Sequence, residues 1–368
     1  MAVYQDKKTK LYWIKGKAKL PNGTYKDYER RWWKRKKDAL QAELNLKEAY
    51  EMQKESITFK QLVAIYFERS PIMNVKEATL FSDESYYRIH LADFFDDMEL
   101  EKITPKVIEL WKLQMIKKRK PDGSPYSTTT INNTKQKLSK FLTYAERMDY
   151  IDSNPCRKVP NYVNPNERKD KDLNFWEVDD FKRFISVVDQ EDWNLVFTFL
   201  FMTGLREGEF AALTWKDLDF KTGKLRVDKT VSYKTAQTGY AITTPKTKNS
   251  IRTIDINTDL LERLKERFER VRNIDGFSYD FFIFGSDKPI ARTSLARELD
   301  RCINLSGVKR ITPHGFRHSH ASALIKMKID DSTIAERLGH TVNELRKTYA
   351  HVYQSSREDL SNKLNDLL

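Results

Sequence analysis

Cysteine is almost missing from this chain: its 368 residues hold two, Cys156 and Cys302. Neither belongs to a CxxC pair or lies near a histidine cluster, so neither a zinc site nor a disulfide framework is expected. No apolar run approaches the roughly 18 residues that a membrane-spanning helix needs. The opening MAVYQDKKTK lacks the apolar stretch of a signal peptide. The expectation is a cytoplasmic, reducing setting with no membrane partner. Internal repeats and low-complexity tracts are absent. Acidic residues fall short of basic ones, 53 against 66, which leaves a formal net charge of +13. A chain this basic most often meets a polyanion, either nucleic acid or an acidic membrane surface. Charge kept for solubility alone is the plainer alternative. With 39% hydrophobic and 32% charged residues, true cores sit under a heavily solvated surface. The length predicts two or three domains.

The positive charge is concentrated near the N-terminus. Residues 1–56 carry 15 Lys and Arg against 8 Asp and Glu, about half of the whole excess. Leu11–Leu20 reads as a strand, Pro21-Asn22-Gly23 as a hairpin turn and Thr24–Trp33 as the returning strand. Lys37–Met52 has helical spacing at Leu40, Leu44 and Ala49. Arg30-Arg31-Trp32-Trp33-Lys34-Arg35 interleaves cations with aromatics, a mixture that suits phosphate together with groove or base contact. Arg30, Arg31, Trp33, Lys34 and Arg35 are the candidate DNA contacts. The competing reading is a solvated strand edge guarded by cations.

Residues 57–155 read as all-helical. Thr58 can cap a helix with apolar positions Phe59, Leu62, Val63 and Tyr66, and a second helix covers Glu77–Phe95. Thr104-Pro105 places a cap before a proline at the first helical position. The helix that follows is expected to bury Val107, Leu110, Trp111 and Met115. Lys117-Lys118-Arg119-Lys120 closes it, cations opposing the negative helix terminus. After Pro121-Asp122-Gly123, Ser127 starts a helix to about Met148. This four-helix unit, with Lys117, Lys118 and Arg119 on its edge, reads either as a second DNA contact or as a spacer. Residues 156–172, rich in Pro, Asn and charge without periodicity, read as an interdomain linker. The rest is helical through Val196–Met202, strand-like over Lys224–Ile256 and helical again in the last third. The expected class is therefore multidomain α+β. A small β-sheet-plus-helix domain (1–56) and an all-α domain (57–155) precede the linker (156–172). A mixed, mainly-α domain with a small antiparallel sheet (173–368) completes the chain.

Histidine is scarce as well, and unevenly spread. Five of the six, His314, His318, His320, His340 and His351, fall within 38 residues, and His90 stands apart. His314 and His318 are four apart, as zinc ligands on one helix face can be, but no Glu follows His314 in the HExxH manner and no cysteine is close. No metal is expected. Phosphate chemistry fits better. With Thr312 as a cap and Pro313 at the first helical position, His314 and Arg317 share a face near a positive helix end. An imidazole and a guanidinium there suit an anion with two non-bridging oxygens. Thr203-Gly204-Leu205-Arg206-Glu207-Gly208-Glu209 is a glycine-bracketed turn entering a helix. Arg206 lies in an apolar context before the packing segment Leu213-Thr214-Trp215 and is costly there unless paired. Glu209 can orient it, either for a site or as a plain salt bridge. Gly339 ends a short helix, Ser332–Leu338, ahead of His340. Thr341 then caps a helix carrying Tyr349 and Tyr353. His318, His320 and His351 read as packing or solvent residues.

TGLREGE, HGFRH, LGH and TYAHV, in this order, resemble the boxes of the tyrosine recombinases, the family of phage and conjugative-transposon integrases. The resemblance spans 173–368, and the nine residues from His340 to Tyr349 fit the family's gap. It implies that Arg206 and Arg317 clamp a scissile phosphate and that His314 assists proton transfer. His340 would hold a phosphate oxygen and support the nucleophile, Tyr349, while Glu209 supports the first arginine. The general acid would be a hairpin lysine, Lys246, with Lys248 as its rival. Tyr353 competes with Tyr349 as nucleophile, and the spacing favours Tyr349. No cofactor is implied. Two guanidiniums and an imidazole supply the charge that a pentavalent phosphorus needs, and a phosphotyrosine ester conserves the bond energy.

The layout of 1–172 is similar to integrases with an arm-binding and a core-binding domain. The implied partners are double-stranded DNA at core and arm sites and three further copies in a DNA-bound tetramer, with an excisionase and a host DNA-bending protein as possible accessories. The last two domains would clamp the duplex. The tail Ser355–Leu368 would dock on a neighbouring subunit or pack on its own domain. Three rivals share part of this pattern: a type IB topoisomerase, a chromosome-dimer resolvase and a DNA-binding regulator without catalysis.

Overall fold

Three antiparallel strands open the chain, β1 (Val3–Gln5), β2 (Tyr12–Lys19) and β3 (Tyr25–Trp33), in the order β1-β2-β3. The computed structural model describes residues 3–19, 25–51, 57–73, 75–165, 174–233, 239–245, 248–350 and 352–353. The expected turn at Pro21–Gly23 lies outside them. Strand β1 is an addition to the sequence reading, which starts the sheet at Leu11. Along β2 successive side chains alternate between faces. Ile14 and Ala18 are buried, while Lys15, Lys17 and Lys19 are exposed. Helix α1 (Lys36–Glu51) covers the apolar face with Ala39, Glu43 and, in part, Leu46. Leu44, expected inside, is 45% exposed. The sheet explains the difference. Gly16 leaves room for the Tyr28 ring, and Tyr28 Oη donates to Glu43 at 2.7 Å, so the buried stripe runs through 39, 43 and 46.

The chain divides into two compact units, Met1–Arg168 and Lys169–Leu368. The first is completed by α2 (Phe59–Arg69), α3 (Glu77–Tyr86), α4 (Ala92–Phe95), α5 (Pro105–Lys117) and α6 (Thr128–Arg147). Thr58 and Gln61 form a capping box on α2, which buries the four expected residues. Helices α3 and α4 are joined by one π-helical turn, Tyr87–Leu91, so the expected helix Glu77–Phe95 is continuous but locally widened. Thr104 caps α5 by accepting from the Val107 backbone. That helix buries Ile108, Trp111, Lys112 and Met115. Leu110 is 49% exposed, because the buried stripe is turned from the expected one towards Lys112. Lys112 tolerates this position by donating to Glu109 and to the Pro160 carbonyl. Residues 156–162, read as linker, pack on this unit. Cys156 and Val159 are buried, and Asn132 exchanges hydrogen bonds with the Tyr162 backbone. The segment has no period of its own because side chains of α6 hold it.

The second unit contains α7 (Val178–Ile185), α8 (Glu191–Thr203), α9 (Glu207–Ala212), β4 (Leu218–Asp219), β5 (Lys224–Val227), β6 (Thr230–Ser232), β7 (Ala241–Thr243) and β8 (Arg252–Asp255), then α10 (Thr258–Val271), α11 (Arg292–Ser306), α12 (Pro313–Lys326), α13 (Asp331–Leu338) and α14 (Val342–Thr348). Helix α8 is apolar on all sides and forms the middle of the main core. A smaller cluster joins α12, α13 and α14 around Leu338, Leu345 and Tyr349. The strands β4-β5-β8 make one antiparallel sheet, and β6-β7 make a separate ladder. Strand β7 pairs with β6 and β8 with β5, so β7 and β8 do not pair with each other, and a 3-10 turn at Lys248–Ser250 precedes β8. The hairpin expected over Thr244–Ser250 falls in part on Lys246 and Thr247, outside the described residues. Lys246 and the tail Ser355–Leu368 lie outside the described residues. The fold class is the expected α+β arrangement.

Candidate active site

Three helix ends converge in the second unit. Helix α8 stops at Gly204, whose φ of 63° is left-handed. A Cβ there would come within 2.6 Å of the His320 ring, so only glycine fits both the turn and the packing. Arg206 then sits at the N-cap of α9. Glu209, three residues on, accepts from Arg206 Nη1 at 2.7 Å and from the Arg206 backbone N–H at 3.1 Å. Helix α13 stops at a second left-handed glycine, Gly339, which delivers His340. Helix α12 begins at Pro313 as expected, although the Thr312 hydroxyl makes no cap bond, and carries His314, Arg317 and His318.

Arg317 joins these ends. It is 1% exposed. Its Nη1 donates to the Gly204 carbonyl at 2.9 Å, and Nη2 donates to the Leu338 carbonyl at 2.5 Å and to His340 Nε2 at 2.8 Å. A guanidinium has no acceptor, so Nε2 of His340 accepts and its Nδ1 carries the proton. That Nδ1 is buried without a hydrogen-bond partner. Arg206 Nη2 donates to the Gly339 carbonyl at 3.4 Å. An open cleft of about 580 Å³ lies in front, lined by Arg206, Glu209, Thr230, Asn249, His340 and Thr348 among others.

Glu209 has a second partner that the sequence reading missed. Arg252, at the start of β8, donates to it at 2.9 Å and 3.3 Å. Arg252 also donates to the Arg337 and Ser250 carbonyls. Burial raises the Glu209 carboxyl, but the hydrogen bonds and charges of Arg252 and Arg206 outweigh it and hold it below the usual range. Burial, reinforced by Arg206, pulls Arg317 down to about 9. Burial followed by the Arg317 and Arg206 charges pushes His340 down to about 4 and lowers His314 as well. Three guanidiniums, those of Arg206, Arg252 and Arg317, thus gather about the Glu209 carboxylate, while Glu344 is occupied in capping α14 through Thr341. The surplus positive charge suits an anion.

Tyr349 follows the last turn of α14 with non-helical backbone angles and is fully buried. Burial pushes its phenol up to about 12, against the pull of Arg317 and Arg206. Oη lies 3.0 Å from His318 Nδ1. His320 does pack inside, where its Nε2 accepts from Arg337. His351 lies outside the described residues. Tyr353 donates to Asp331 at 2.5 Å and so has a partner of its own. Its backbone N–H donates to the Tyr349 carbonyl at 3.3 Å, which places it one helical turn on, and it packs against the same small cluster.

The N-terminal candidates divide. Arg30, Lys34 and Arg35 are exposed, while the Arg31 side chain lies outside the description. Trp33 is half-buried against the small core. Its neighbour Trp32 is 66% exposed, with a φ of 92°. A register shift opposite Tyr12 and Trp13 inserts Trp32 as a bulge and reverses the expected alternation. The face of the sheet away from α1 carries the exposed Lys15, Lys17 and Lys19 beside the stacked pair Tyr4 and Trp13. The period-two pattern of β2 contained that signal. Lys117, Lys118 and Arg119 are exposed, but Arg119 donates to three carbonyls at the end of α5.

Residues 175–356 match the model of the phage integrase family, and 58–162 match that of the phage integrase SAM-like domain. Together with the cleft, this defines a tyrosine-type DNA strand transferase. The chain is 33% identical over 347 residues to the ICEBs1 integrase of Bacillus subtilis strain 168, covering 90% of each. It is 25% identical over 289 residues to the transposase of transposon Tn916 from Enterococcus faecalis, covering 72% of this chain and 67% of that one. A fragment of the Tn1549 transposon integrase bound to circular-intermediate DNA has the same fold, with a TM-score of 0.66 at 22% identity over 83% of this chain and 99% of that one. So does lambda integrase in a tetramer on a Holliday junction, with a TM-score of 0.55 at 18% identity over 92% of this chain and 95% of that one. The chain belongs to the phage integrase family.

Proposed function

We propose that the protein integrates and excises a mobile DNA element by cutting and rejoining strands through a 3′-phosphotyrosyl link. One observation carries this reading: Arg206, Arg317 and His340 are tied to one another by the ends of three helices, with Tyr349 in the cluster behind them. The bonds described leave Nε–H and one Nη1–H of Arg317, and three N–H groups of Arg206, for the non-bridging oxygens of a phosphate. Tyr349 Oη attacks phosphorus, the bond to the 5′ oxygen breaks, and a free 5′-hydroxyl remains. Lys246 is the proposed acid for that oxygen. His340 holds a phosphate oxygen, and His314 lies beside the transferred proton. Arg252, through Glu209, keeps Arg206 in place.

The domain roles follow the same reading. Residues 1–56 bind arm-type DNA with the lysine face of the sheet, since a β-sheet fits the major groove. Residues 57–155 bind the core site, and 173–368 catalyse. Work on two strands at each of two sites calls for four copies on DNA, with an excisionase and a DNA-bending host protein as accessories and a cytoplasmic, nucleoid-associated location. The test is a nicked suicide substrate bearing the core site recovered by sequencing DNA cross-linked to the protein. A covalent adduct that vanishes in Tyr349→Phe supports the reading. An adduct that persists in that variant, or none with the unaltered chain, defeats it. A type IB topoisomerase would instead relax plasmid that lacks the site.

A further inference from the structure

The phenolic proton of Tyr349 needs somewhere to go. The resemblance gives proton transfer to His314, yet among the described residues the group hydrogen-bonded to Oη is Nδ1 of His318, at 3.0 Å. His318 sits one turn beyond His314 on α12, and the two rings meet edge to face at 4.7 Å. A second edge contact joins the His318 ring to that of Tyr349. Tyr349 is fully buried, so bulk water has no access to Oη. Burial also holds the phenol near 12, which makes ionisation at neutral pH steeply uphill without an acceptor in contact. With its proton on Nε2, His318 offers Nδ1 as that acceptor.

We propose that His318 is a catalytic residue, the general base that takes the Oη proton of Tyr349 on strand cleavage and returns it on rejoining. The inference rests on the recombinase reading above. As the Oη–phosphorus bond forms and the bond to the 5′ oxygen breaks, the proton on Oη passes to Nδ1. The departing oxygen takes its own proton from the general acid. On rejoining, the incoming 5′-hydroxyl attacks phosphorus and gives its proton back to that acid. Oη leaves, and the His318 imidazolium reprotonates it. No further reactant is needed. His314 then serves to hold the His318 ring edge-on.

The experiment compares the unaltered full chain with His318→Asn on the nicked core-site substrate. Each is prepared with Tyr349 and with 3,5-difluorotyrosine at that position, a phenol that ionises near neutral pH. Asparagine keeps a hydrogen-bond acceptor close to the place of Nδ1 but is not basic enough to take up a proton. His318→Asn should slow adduct formation by about 10²-fold or more, and difluorotyrosine should restore the rate to within a few-fold. Gel shifts on core DNA and urea melts establish that each variant folds and binds. A defect that difluorotyrosine leaves in place would mean that His318 only shapes the site, and would overturn the proposal. Cleavage by His318→Asn as fast as, or faster than, the unaltered chain would also overturn it, as expected of a contact that merely restrains Tyr349. Failure of the unaltered chain to form any adduct would instead sink the recombinase reading.

Discussion

Arg252 grips Glu209 with both Nη atoms, and the two buried side chains lie 43 positions apart in the chain. Breaking a buried pair of this kind leaves an uncompensated charge inside. Arg252→Met should therefore destabilise the second unit by about 3 kcal/mol, near the low end of what such a loss costs because Arg206 still serves Glu209. Urea titration should show a lower midpoint with an unchanged slope. Arg252→Lys should recover only part of the loss, since an ammonium cannot reproduce the forked contact. An unchanged midpoint in Arg252→Met would remove the support assigned to this pair.

Tyr349 and Tyr353 separate in a double comparison. Tyr349→Phe should abolish the covalent adduct and shift stability by about 1 kcal/mol, the worth of a single neutral hydrogen bond. Tyr353→Phe should keep the adduct yet lose about 1.5–3 kcal/mol, because its hydroxyl donates to the charged Asp331. Denaturing gels read the adduct, and urea melts read stability. The reverse pattern would name Tyr353 as the nucleophile.

Three local relationships were readable in the sequence, because short spacing along the chain announces them. Arg206 with Glu209 and His314 with Arg317 each stand three apart, and Gly339 leads directly to His340. Arg252 escaped that reading, since its partner is far away in the chain. Yet Ile254 on β8 and Ile256 just beyond it are buried, and by period two position 252 must point inward as well. A buried arginine there asks for a carboxylate. The exchange of Trp32 for Trp33 was illegible, because a bulge depends on the partner strand. The inward Lys112 was hidden for a related reason: its acceptor at Pro160 comes from a segment without periodicity.

Acid should weaken the second unit through its buried histidines. Burial, then the charge of Arg337, lowers His320 to about 3, and His340 stands at about 4. Unfolded, both titrate near 6.5. Between those limits the unfolded chain binds more protons, so stability falls as pH falls. The stabilisation is full above about pH 6.5 and drains away towards pH 4 and below, by at most about 1.4 kcal/mol per pH unit for each histidine. His320→Gln should flatten the pH dependence of urea midpoints between pH 7 and 5. A variant as pH-sensitive as the unaltered chain would show that other groups govern the slope.

The lysine face of the N-terminal sheet makes a prediction about salt. If Lys15 and Lys17 each neutralise a phosphate, replacing both by alanine should lower the slope of log affinity against log salt by about 2 on arm-type DNA. Their carboxylate neighbours, Glu29 and Asp27, are 3.9 Å away, loose enough to yield to a phosphate. A slope equal to that of the unaltered chain would place arm binding on another surface.

A chain that searches a chromosome meets wrong sequence far more often than right. Its cations are available at every encounter, and such contacts form and release as counterions exchange. Tyr349 has no exposed surface to offer. Chance collisions with duplex DNA therefore engage the cations and leave the phenol out of reach.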